Sequence, residues 1–187
     1  MNSKNHSSTN LSLKGAAAIQ IGIYFILAVY VIETLVSGFL VDDNPAGMLS
    51  VELIEVFGIF IYFLTFILVA LALYFKGKRS VKGSTSIFWN KSTKKTVSIV
   101  ISSFFATSFI VLTALNLGYA NKITPVFLIC YGAMLFAILK KERKGLAIVA
   151  GLSLFLAIYC LIIPNYWYSA LLIFGIAHIT YGIMVKN

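Results

Sequence analysis

The chain has 187 residues, of which 60% are hydrophobic and only 11% are charged, and its formal net charge is +9. Because soluble domains carry roughly 45–50% apolar and about 25% charged residues, this composition excludes an ordinary soluble domain and indicates a protein embedded in lipid. A membrane-spanning helix needs about 20 apolar residues, and six stretches of the sequence qualify. We predict an all-α fold, a polytopic membrane protein with six transmembrane helices in one bundle.

The polar stretch at residues 1–14, rich in Ser and Asn, predicts a short disordered cytoplasmic tail. Residues 15–187 are predicted to form a single transmembrane domain. Pro125 falls in the first turn of the fourth predicted helix, where a proline is tolerated, and Pro164 marks the turn between the last two helices. The predicted spans cover residues 16–41, 51–75, 96–117, 123–139, 145–163 and 166–185.

The basic residues fix the expected orientation of these spans. Fourteen of the fifteen Lys and Arg residues fall on one side of the predicted bundle, and Lys122 is the exception. Because short basic loops stay in the cytoplasm, both termini are predicted to be cytoplasmic, in a bacterial inner membrane. The same asymmetry accounts for the positive net charge, so we predict no nucleic-acid partner.

The connection from Lys76 to Lys95 is the only long one, and seven basic residues in it surround Phe88 and Trp89. Aromatic side chains settle at the headgroup level, and basic residues are attracted to anionic lipid. We therefore interpret this segment, with Lys76, Arg79 and Trp89, as an interfacial loop that lies on anionic lipids of the inner leaflet. The alternative is a docking surface for a cytoplasmic or membrane protein partner.

His178 is the most unusual residue of the last span, because a titratable side chain in hydrocarbon usually faces the bundle interior. Its helix face also carries glycines, which allow a neighbouring helix to approach closely. We predict that His178 is neutral, faces the bundle and bonds a polar group at similar depth such as Gln20. A ligand or proton-relay role for His178 and Gln20 is the alternative. The stripe consists of Tyr168, Leu171, Gly175, His178 and Gly182.

Two carboxylates form the second candidate site. Glu33 lies in the outer third of span one and Glu55 in the first turn of span two, so antiparallel neighbours would bring them to a similar depth. Such a pair could share a proton or a cation, or each carboxylate could simply reach the outer headgroups. The helix face that carries Glu55 consists mostly of small and polar residues, so we expect it to face the bundle. Gly58 is expected to form a close helix contact on this face. That face holds Glu55, Gly58, Tyr62, Thr65, Val69 and Ala72.

No catalytic motif is present in the sequence. It contains no zinc-protease histidine pair, no nucleophile elbow and no phosphate-binding glycine loop. The two cysteines, Cys130 and Cys160, lie far apart in apolar runs and are interpreted as packing residues. We therefore predict no catalytic residues, no metal and no cofactor.

Several short motifs together resemble those of a known protein family. The weaker motifs are Trp89-Asn90 and Pro125 followed by Tyr131-Gly132. The most specific motifs are Phe174-Gly175, His178-Ile179 and Tyr181-Gly182 in the last span. Through these motifs the chain resembles a family of uncharacterised six-helix membrane proteins of flavobacteria and their relatives, and this implies an inner-membrane location without supplying an activity.

Three functions remain open from the sequence. The first is a non-enzymatic membrane protein that acts in binding, in regulation or as an accessory subunit. The second is a small transporter or a membrane substrate-binding subunit, since six-helix subunits of vitamin importers have this size and topology. The third is a lipid-modifying membrane enzyme.

Overall fold

The computed structural model of the protein describes residues 15–39, 51–81, 89, 91–138 and 144–185. These residues form six long α-helices and two single 3₁₀ turns, Ala120–Lys122 and Pro164–Tyr166. All six helices are long and apolar enough to cross a membrane, as predicted. They are α1 (Ala16–Phe39), α2 (Val51–Val81), α3 (Lys91–Asn116), α4 (Ile123–Ile138), α5 (Lys144–Ile162) and α6 (Trp167–Met184).

Most helix ends agree with the predicted spans to within two residues, but the prediction of one long loop from Lys76 to Lys95 was wrong at both ends. Helix α2 continues through the basic residues to Val81, and α3 already begins at Lys91. Lys and Arg are good helix formers, so a helix need not stop where its apolar run ends. The predicted tail at residues 1–14, residues 82–88 of the loop and the basic turn at residues 139–143 lie outside the described residues.

The α1–α6 and α4–α5 pairs are antiparallel. Gly22 of α1 lies against Gly175 of α6, and Gly15, which precedes α1, lies against Gly182. Ser153 of α5 bonds the Leu128 carbonyl of α4. The first described residue, Gly15, and the last, Val185, therefore lie at the same end of the bundle as the start of α5.

The helices form a ring in the order α2, α1, α6, α5, α4, α3. Helices α2 and α3 close the ring, but their backbones stay farther apart than those of the other neighbouring pairs. Large rings fill the space between them, and Phe66 stacks on Phe104 with ring centroids 3.6 Å apart. We call this α2–α3 contact the seam. The outer faces of the helices are apolar, as lipid requires.

Two short turns hold neighbouring helices antiparallel. Gly118 has a φ of +75°, a conformation that glycine adopts without steric cost. The Gly118 N–H donates to the Leu115 carbonyl and the Tyr119 N–H to the Ala114 carbonyl, so α3 ends in a Schellman motif. The α5–α6 turn is the 3₁₀ turn that begins at Pro164.

Candidate functional site

His178 lies in the middle of α6, and its side chain is completely buried in the bundle. This confirms the prediction that the imidazole faces protein. Neighbouring rings enclose it from α1, α4 and its own helix. The ring centroids lie 4.5 Å from Phe174, 5.6 Å from Tyr131 and 5.7 Å from Phe25.

Both imidazole nitrogens of His178 have hydrogen-bond partners. Nδ1 lies 3.0 Å from the Phe174 carbonyl oxygen one turn earlier, and Nε2 lies 3.0 Å from the Tyr131 hydroxyl. A carbonyl oxygen can only accept, so Nδ1 carries a proton. In a neutral ring Nε2 is then the acceptor, and the Tyr131 hydroxyl donates to it. A neutral imidazole thus satisfies both bonds without any further group.

The prediction that Gln20 bonds His178 is wrong. Gln20 is exposed on the outer side of α1, and the donor to His178 is Tyr131 on α4. The reason is the rotation of α1. Gly22 faces α6, and a residue two positions away points about 200° around the helix, which turns Gln20 to the membrane side.

The sequence does contain a signal that Tyr131 is the partner of His178. Helices α4 and α6 run in the same direction, and Tyr131 and His178 lie at nearly the same distance from their C-terminal ends at Ile138 and Met184. Equal depth favours a contact. A search for amide and carboxylate partners misses this pair, because tyrosine also occurs as an ordinary apolar packing residue.

The glycines beside His178 lie at close helix contacts, as predicted. A Cβ added at Gly175 would lie 2.7 Å from Cγ1 of Ile26, and one at Gly182 would lie 2.8 Å from the Gly15 carbonyl oxygen. The prediction for Gly58 was wrong, because a Cβ there would meet no described atom within 4 Å. Helix α2 is held to α3 by long aromatic side chains, which keep the backbones apart.

The predicted acidic pair is described only in part. Glu33 is half-buried on α1, and its backbone carbonyl accepts a bond of 2.7 Å from Ser37 Oγ. Glu55 belongs to α2, and its side chain lies outside the described part. Whether the two carboxylates meet therefore stays a prediction, as does the shared proton or cation.

Two further polar contacts were missed by sequence reasoning. Ser153 Oγ is buried and donates to the Leu128 carbonyl at 2.7 Å, which ties α5 to α4. At the seam, Ser108 Oγ makes a long bond of 3.5 Å to the Tyr62 hydroxyl. The sequence signal for such a contact is a single serine in an apolar run, because a buried hydroxyl needs a hydrogen-bond partner.

The predicted interfacial residues lie at one end of the bundle. Lys76 and Arg79 belong to the last turns of α2, and Trp89 lies in a turn just before α3 with 50% of its surface exposed. The same end holds the start of α3. We call it the cationic end and define it by Lys76, Lys78, Arg79, Lys91, Lys94 and Lys95.

Among the described residues, no group of three His, Cys, Asp or Glu side chains is placed to hold a metal ion. Cys160 is buried, Cys130 is half-buried, and both are free thiols. Comparison of the chain with protein-family models, curated proteins and solved structures finds no match. The candidate site is thus characterised by its own geometry, a histidine held between an aromatic cluster and a glycine contact.

The Tyr131–His178 bond is expected to make a small contribution to stability. Replacing Tyr131 with Phe should lower the free energy of unfolding by roughly 0.6 kcal/mol and at most about 1.7 kcal/mol, the range for hydrogen bonds between membrane helices. Denaturation in mixed micelles measures this change. Tyr30→Phe is the matched control, because Tyr30 is 60% exposed and should show no loss.

A double-mutant cycle identifies the bond itself. In a His178→Leu background, Tyr131→Phe should cost less than it does in the wild type, because the acceptor is already gone. Equal costs in both backgrounds would show that the two side chains do not interact.

Proposed function

We propose that the protein is a non-enzymatic membrane protein of the bacterial inner membrane that acts as a binding or accessory subunit. In this proposal the protein works through its outer surfaces, and the interior histidine serves packing. The observation that carries the proposal is the state of His178, which is fully buried with both nitrogens bonded inside the chain. Neither imidazole nitrogen is left to bind a ligand, and among the described residues the Tyr131 hydroxyl is the one titratable group bonded to the ring.

The transporter alternative has weaker support. A substrate path needs polar groups that line the interior of the bundle. The described centre of the bundle is instead filled by aromatic side chains. Phe25 alone contacts Phe127, Tyr131, Phe174 and His178. Such a centre favours a structural role for the histidine.

The proposed orientation puts both termini and the cationic end in the cytoplasm, because basic segments are retained there. In a background with Cys130 and Cys160 replaced by Ala, an impermeant maleimide should label Lys122→Cys on intact spheroplasts. It should label Lys95→Cys only after permeabilisation. The reverse pattern would overturn the orientation.

The accessory role is tested in cells. Deletion of the gene should lower the abundance of a partner in the membrane fraction, measured by quantitative mass spectrometry, because subunits without their partner are degraded. A His178→Leu strain should keep the wild-type profile, provided that the variant accumulates normally.

Two results would contradict the proposed function. One is a deletion strain in which no other membrane protein changes. The other is a His178→Leu strain that reproduces the deletion profile while the variant accumulates and melts normally, which would favour a relay or ligand role. A strain with Gly22→Leu, expected to destroy the fold, is the control for loss of the protein.

A further inference from the structure

The seam and the cationic end belong to the same two helices. Helix α2 ends with Lys76, Lys78 and Arg79, and α3 begins with Lys91, Lys94 and Lys95. Contacts across the seam are antiparallel, since Phe66 stacks on Phe104 and Tyr62 meets Ser108. The last turn of α2 and the first turn of α3 therefore lie at one end of the seam.

These cations have no acidic residues beside them in the sequence. No Asp or Glu occurs between Glu55 and Glu142, so neither helix supplies a counter-charge near this end. The lysines at the start of α3 also face an unfavourable helix dipole, since cations are disfavoured at a helix N-terminus. Lys91, Lys94 and Lys95 are all exposed. An anion from outside the chain would compensate this charge.

The seam offers an apolar surface at the depth that a lipid acyl chain reaches below the cationic end. Phe63 and Phe105 flank Phe104 and are 37% and 66% exposed. Lys95 precedes Phe105 by ten residues, about 15 Å along a helix. That is half of a hydrocarbon core of about 30 Å, the depth that one acyl chain covers. Lys76 follows Phe66 at the same spacing on α2.

We propose that the seam binds an anionic phospholipid of the cytoplasmic leaflet. The lysines at the start of α3 and the basic end of α2 hold the headgroup phosphate, and an acyl chain lies along the exposed rings of Phe63 and Phe105. Trp89, half exposed between the two basic segments, lies at the level of the headgroups. This inference rests on the proposed orientation and deepens the proposed surface role by naming the partner.

The test uses the purified full-length protein and native mass spectrometry with two lipids of identical chains, phosphatidylglycerol and phosphatidylcholine. The wild type should bind phosphatidylglycerol at least about tenfold more tightly than phosphatidylcholine, since each basic residue near an anionic lipid contributes a factor of about five. The variant with Lys91, Lys94 and Lys95 changed to Gln should lose this preference.

A matched control removes the same charge elsewhere on the predicted cytoplasmic side. With Lys140, Lys141 and Lys144 changed to Gln, the preference should change less than about twofold. Phe63→Ala with Phe105→Ala should weaken the binding of both lipids and keep the preference. Lys95→Gln alone, with a smaller expected loss, serves if the triple variant fails to fold.

Three results would overturn the inference. They are equal binding of the two lipids by the wild type, an equal loss in both triple variants, and displacement of the lipid by free glycerol phosphate at equal concentration. The last result would show that the headgroup alone is recognised. None of these measurements involves His178 or the membrane profile of cells, so this inference and the proposed function fail separately.

Discussion

Replacing Gly22 with alanine is expected to destabilise the protein by about 1–3 kcal/mol, the usual cost of inserting a methyl group into a closely packed interior. The new Cβ would lie 2.5 Å from the Gly175 carbonyl oxygen and 3.0 Å from the Ile179 backbone nitrogen. Backbone atoms cannot turn away as a flexible side chain can, so α1 and α6 must move apart. Thermal unfolding in lipid nanodiscs measures the loss.

Gly151→Ala is the matched control for this prediction. A Cβ on Gly151 of α5 would meet no described atom within 4 Å, and alanine is the better helix former by up to about 1 kcal/mol. The control should therefore leave stability unchanged or raise it. Equal losses at the two positions would show that the α1–α6 contact does not hold the bundle.

Replacing Phe174 with alanine is expected to cost about 3–5 kcal/mol, the range for removing a buried aromatic side chain and leaving a cavity. Phe174 is completely buried, and its ring contacts those of Phe25, Tyr131 and His178. Its loss removes one wall of the site around the imidazole. The free energy of unfolding in mixed micelles measures the change.

Phe109→Ala tests whether burial is the cause of the large loss expected for Phe174→Ala. Phe109 is 73% exposed on the membrane face of α3, so lipid replaces the lost contacts and the cost should be small. A loss at Phe109 as large as that at Phe174 would argue that lipid contacts matter as much as interior packing.

The number and type of helices could be predicted, because runs of Leu, Ile, Val and Phe long enough to cross a membrane leave few other structures. The ends of α2 and α3 could not be predicted in the same way. Hydropathy locates the edge of the hydrocarbon, whereas the helix ends where backbone bonding ends, and for α2 that is Val81.

The inward direction of His178 was predictable from the glycines on its own helix face. Its partner was missed, because the choice between Gln20 and Tyr131 depends on how α1 is rotated. That rotation follows from Gly22, which must face α6. A usable signal is the spacing of the glycines, since Gly22 follows Gly15 at the same seven-residue interval that separates Gly175 from Gly182.

The pairing of α1 with α6 has a consequence for biosynthesis. Synthesis runs from the N-terminus, so α1 enters the membrane while α6 has yet to be translated. Until then the glycine face of α1 lacks the helix that packs against it, and the side chains that α6 supplies to the aromatic cluster are absent. A chain that stops before α6 would insert five helices yet lack its central contact. The helix ring is thus completed only once α6 has been synthesised and inserted beside α1.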